Sequence, residues 1–174
     1  MTGGSVDPAQ VLVLGLGNLL LGDDGVGLRL LEELAGGASA DFLDGGTQGL
    51  ALLPYFDGRR ALIILDAVAL GAPAGTVHVL DAANLKAHRA TTAHGSNALE
   101  LLEVAALLGE LPPTVTIIGI EPAKIATGIG LSPEVKRAVP EALSLARRVL
   151  ESACGRAAPS AASAAEREMR ATGR

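Results

Sequence analysis

Residues 11–27 read VLVLGLGNLLLGDDGVG, and the fold turns on how this stretch is interpreted. Residues 11–14 form a short apolar run rich in valine and closed by Gly15, the pattern of a strand buried on both faces. The glycines that follow permit a tight loop. Asp23 and Asp24 then open an amphipathic helical pattern carried by Val26, Leu28, Leu30, Leu31 and Leu34.

Three readings of this loop compete. A dinucleotide fingerprint needs a third glycine where Leu20 stands. A P-loop needs Lys and Ser/Thr where Asp23 and Asp24 stand. Two carboxylates repel phosphate, so nucleotide binding is disfavoured on charge. The second reading is structural: an acid at a helix start that caps backbone N–H groups. The third places a metal ligand or acid/base carboxylate in the crevice where α/β sheets carry their sites. One aspartate suffices for a cap, so a pair leaves one carboxylate for other work.

The totals narrow the class. A chain of 174 residues is long enough for one domain with a full core. Aromatics are only 2%, so the core must be Val, Leu, Ile and Ala, which suits a parallel sheet covered by helices. A net charge of −5 argues against a nucleic-acid groove or an anionic membrane surface as partner. Cys154 is the sole cysteine, so no internal disulfide and no CxxC site is possible. Residues 1–10 lack the basic and apolar regions of a signal peptide, and no apolar run approaches the length of a membrane span. The expected setting is cytoplasmic.

Along the chain, strands are expected at 10–14, 40–44, 61–65, 76–80 and 114–120. Helices are expected at 25–35, 98–108 and 133–153, with a short helical pattern at 50–56. Strand 76–80 alternates and suits a sheet edge. Ser132-Pro133 is a helix start, with Ser as cap and Pro at the first position. Pro140 should kink or restart the last helix. The predicted fold is α/β: a three-layer α/β/α sandwich with a mostly parallel sheet of about five strands. It spans residues 1–155 as a single domain, with 156–174 as a flexible tail.

Asp24, Asp44, Asp66 and Glu121 each follow a predicted strand. In a parallel sheet these ends share one rim, so the acids gather there despite their separation in sequence. Clustered carboxylates favour a bound cation or a raised pKa. His94 sits in a loop before a helix, and imidazole with two carboxylates suits nickel, zinc or iron. The bland readings are specific. Asp44 before Gly-Gly is also a turn pattern, and Glu121 before Pro122 can simply end a strand. His78 and His88 suit ordinary surface or half-buried positions, and Ser96 is better read as a helix cap than as a nucleophile.

GLGNLLLGDDGVG at 15–27, DGGT at 44–47, Asp66 after LIIL, TTAHG around His94, and IGIEP with GLSPEV at 118–135 together resemble the hydrogenase maturation endopeptidases. The resemblance covers roughly residues 11–150. It implies an endopeptidase that removes a C-terminal extension from the large-subunit precursor of a nickel–iron hydrogenase after nickel insertion. The cut would follow the basic residue of the precursor's C-terminal cysteine motif. By the same resemblance, Asp24, Asp66 and His94 contact the nickel, which arrives bound to the precursor. Asp44 matches a further family acid, and either it or a water on the metal would assist hydrolysis. No resident zinc is expected, since the chain has no H-E-x-x-H helix. The alternatives are a germination-protease-like peptidase of the same fold and a non-enzymatic nickel-binding assembly factor.

Overall fold

The sheet is built around two strands that are apolar on both faces. β1 (Val11–Leu16) and β3 (Ala61–Ala67) are buried at every residue. In the computed structural model, which describes residues 10–36, 39–81 and 97–155, they lie side by side at its centre. β2 (Asp41–Gly46) flanks β1, β5 (Thr114–Ile120) flanks β3, and β4 (Val77–Asp81) lies outermost, giving the order β2-β1-β3-β5-β4. The first four strands are parallel, and β4 runs antiparallel to β5. This is the expected mostly parallel five-strand sheet, with 77–81 at the edge as its alternation required.

Among the described residues, three α-helices cover it: α1 (Val26–Leu34), α2 (Asn97–Leu108) and α3 (Pro133–Gly155). A 3₁₀ segment at Gly49–Phe56 links β2 to β3. Alternate residues of each strand enter separate cores. Val11, Val13, Ala61 and Ile63 meet α1 and α3. Leu12, Leu14, Leu62 and Ile64 meet α2 and the 3₁₀ segment. Each such aliphatic side chain contributes roughly 1.5–3 kcal/mol on burial. The result is the three-layer α/β/α sandwich.

The details depart from the expectation in two places. α3 is one continuous helix through Pro140 and does not restart there. Pro140 lies on the exposed face, where the carbonyl it cannot serve is open to water. Its start follows expectation: Ser132 Oγ accepts the Val135 N–H at 3.4 Å, with Pro133 first in the helix. The second departure is at α1, which has Gly25 at its N-cap and no side-chain cap. Asp23 and Asp24 instead sit in a preceding 3₁₀ turn, Asp23–Gly25, so the capping reading of the pair is wrong. Their carboxylates are engaged elsewhere. The expected tail, 156–174, lies outside the described residues, as do His88, His94 and Ser96.

Candidate active site

The chain leaves β1 for β2 on one side and returns to β3 on the other, so the crevice between β1 and β3 is the topological switch point of the sheet. Asp24 follows β1, and Asp66 is the penultimate residue of β3. Close backbone packing brings them together. A Cβ on Gly27 would lie 2.2 Å from the Leu65 carbonyl oxygen and 2.3 Å from that of Leu16, so only glycine lets α1 start against both strand ends. Gly17, at φ 118°, would put a Cβ 1.8 Å from the Asp24 carbonyl oxygen. The glycines of the opening motif therefore serve helix–strand contact rather than phosphate.

Asp66 is 3% exposed. Its Oδ1 accepts the Ala67 N–H at 2.8 Å, while Oδ2 is buried with no hydrogen-bond partner among the described residues. Burial pushes its pKa up to about 7, and the charge of Asp24 adds to the rise. The N–H groups of Ala67 and Ala98 pull the other way. A carboxyl poised near neutrality beside a second carboxylate can exchange a proton or bind a cation. Asp24 is half-buried, and its Oδ2 accepts the Asn18 N–H at 2.7 Å.

Asp44 lies in β2 beside Gly15 of β1 and is exposed, two residues from the strand end. It is on the rim, one strand removed from the pair. Among the described residues, no group of three or more His, Cys, Asp and Glu is placed to hold a metal. Asp24 and Asp66 are thus near enough for the charge of one to act on the other, Asp44 is on the neighbouring strand β2, and His94 lies outside the described residues.

Two other acids are buried and fully used. Asp23 is 2% exposed; its carboxylate accepts N–H groups from Ser132 at 2.6 Å, Ala123 at 2.9 Å and Lys124 at 3.1 Å. Burial works to raise its pKa, but these backbone bonds and the Ser132 hydroxyl outweigh it and hold the carboxyl below its ordinary value. Glu121 takes the Leu70 and Gly71 N–H groups and lies 3.0 Å from His78 Nε2. Neither role has a sequence signal, because the partners lie roughly fifty to a hundred residues away. A groove of about 740 Å³ lined by Leu53, Arg59, Leu108 and Pro112 lies at the opposite pole, by the N-terminal ends of β3 and β5.

A family model described as hydrogenase maturation protease matches residues 28–149. A hydrogenase expression/formation protein, HupD, of Rhodobacter capsulatus is 36% identical over 151 residues, covering 82% of this chain and 72% of the relative. The hydrogenase 2 maturation protease of Escherichia coli K12 is 34% identical over 142 residues, covering 77% and 86% respectively. Among solved structures, the hydrogenase maturating endopeptidase HybD from E. coli superposes with a TM-score of 0.73 at 31% identity, covering 82% of this chain and 93% of that one. The [NiFe] hydrogenase maturation protease HybD from Thermococcus kodakarensis gives 0.68 at 31% identity, covering 81% and 99%. These matches set aside the reading as a non-enzymatic assembly factor, and this chain belongs to the hydrogenase maturation protease family of endopeptidases.

Proposed function

We propose that this endopeptidase removes the C-terminal extension of a nickel–iron hydrogenase large-subunit precursor once nickel is in place, reading the bound nickel through Asp24, Asp66 and His94. The observation that carries this is Asp66 Oδ2, a buried carboxylate oxygen without a partner among the described residues, near a second carboxylate. Such an atom is costly unless something fills the position, and a cation offered by a substrate would do so. Two carboxylates and an imidazole are a donor set for a borderline divalent ion.

In this reading the rim serves recognition first. Nickel on the precursor draws the scissile peptide against the ends of β1 and β3, and Asp66 gives up its proton as the cation settles. Asp44, exposed one strand away, takes a proton from the attacking water and passes it to the leaving amine. The precursor lacking nickel offers nothing to offset the paired carboxylates and binds poorly.

The test incubates purified protein with nickel-loaded and nickel-free precursor and follows loss of the C-terminal peptide by mass spectrometry. Cleavage is expected only with nickel-loaded precursor. Asp24→Ala, Asp66→Ala and His94→Ala should each cut the rate by about a thousandfold or more while circular dichroism stays native. Equal cleavage of the nickel-free precursor would overturn nickel recognition. Processing that survives His94→Ala would point instead to an all-carboxylate mechanism of the germination-protease kind.

A further inference from the structure

Beside the carboxylate pair, loops 18–22 and 122–131 are tied together. The Gly128 N–H donates to the Leu20 carbonyl at 2.9 Å, the Gly22 N–H to Gly128 at 2.9 Å, and the Ala126 N–H to Leu21 at 3.3 Å. Asp23 fastens the same pair through its three backbone bonds. On these loops four large aliphatic residues face solvent: Leu19 at 56%, Leu20 at 61%, Ile125 at 50% and Ile129 at 89% exposed. They are continuous with the site. Leu19 lies close over the turn that carries Asp24, since a Cβ on Gly25 would sit 3.0 Å from Leu19 Cα and Cδ2. The next residue back, Asn18, bonds the Asp24 carboxylate.

Clustered, exposed and held in place, such an apolar surface marks an interaction site. We propose that this shelf docks the polypeptide flanking the scissile bond of the hydrogenase precursor, seating its apolar side chains beside the carboxylates. This rests on the function proposed above. The occupant follows from charge and continuity. Lys124 is the only ionisable residue in the two loops, so the shelf itself selects apolar side chains. A second copy of this chain is the rival occupant, but shelf-to-shelf contact would bring two sets of Asp24, Asp44 and Asp66 into proximity, which repulsion opposes. A precursor carrying a cation meets the opposite field.

The test is steady-state processing of nickel-loaded precursor by wild type and by the double variant Leu20→Ser/Ile129→Ser. KM should rise about tenfold, with kcat within about twofold of wild type. The rise should persist at high salt, because apolar contact is not screened. The melting temperature should not move, since neither side chain is in the core. Leu107→Ser, 86% exposed at the end of α2 and remote from the rim, should leave KM unchanged. An unchanged KM in the double variant, or a loss confined to kcat, would overturn the shelf while leaving the proposed function standing. Unchanged KM with a shift from dimer to monomer in sedimentation would assign the surface to self-association instead. A wild-type protein that does not process the precursor at all would remove both proposals together.

Discussion

Asp23 and Asp66 are two acids of one rim, 2% and 3% exposed, whose surroundings have opposite character. Asp23 is met by three backbone N–H groups from a distant loop, and they hold its carboxyl ionised. Asp66 is met by one at bonding distance, keeps a bare oxygen, and is pushed up to about 7. The difference separates structure from function. A satisfied buried carboxylate fastens loops; an unsatisfied one lowers stability and is retained where chemistry needs it.

The sharpest break of this comparison is Asp66→Asn. Processing should fall by about a thousandfold or more, because the group that receives the cation is gone. Stability should rise at the same time, because a neutral amide costs less to bury than a carboxylate. The size of that rise should depend on pH. The folded-state pKa of Asp66 lies above its unfolded value of 3.8, so the folded state holds the proton more tightly. Its contribution to stability is therefore full below about pH 4 and is lost as pH rises toward 7. Urea denaturation of wild type and variant should nearly coincide at acid pH. They should diverge by a few kcal/mol, in order of magnitude, at slightly alkaline pH. A gap that does not change with pH would mean that burial does not govern Asp66.

Asp23→Asn should act in the opposite sense. Its amide nitrogen would face backbone donors, and three charge-assisted bonds would be weakened. A cost of about 3 kcal/mol is expected, or roughly 10 °C in melting temperature. The linkage also reverses. Asp23 is held below its ordinary value, so its stabilisation is present above about pH 4 and is lost as the pH falls further. Wild-type stability above that range, relative to the variant, should show this in the same denaturation series.

What could be read from the residues follows the same divide. β1, β3 and β5 were legible because buried parallel strands are continuous apolar runs, and the rim followed from their common direction. Asp24 and Asp66 are legible as two of four acids on that rim, and only the family resemblance sets them apart, with His94, as metal contacts. Asp23 reads from the sequence only as one of two acids at a helix start, a candidate cap. Its true partners, Ala123, Lys124 and Ser132, are brought to it by tertiary folding, and no local pattern announces them. The sequence leaves open whether the last helix restarts at Pro140, for a related reason. Whether a proline interrupts a helix depends on the face it occupies, which only packing decides.

Glu121 provides the smallest and most discriminating case. Like Asp66 it follows a central strand and is buried, at 5% exposure, so position alone would make it a site residue. Its carboxylate is nevertheless satisfied by the Leu70 and Gly71 N–H groups and by His78 Nε2, which places it with Asp23. Glu121→Gln keeps one carbonyl acceptor for the loop and loses the charge that faces His78. A cost of about 1–2 kcal/mol is expected, with processing of nickel-loaded precursor unchanged within about threefold. A loss of processing on the scale of Asp66→Asn, with stability intact, would show that hydrogen-bond satisfaction does not sort these acids. The rim would then have to be treated as one functional set rather than as two.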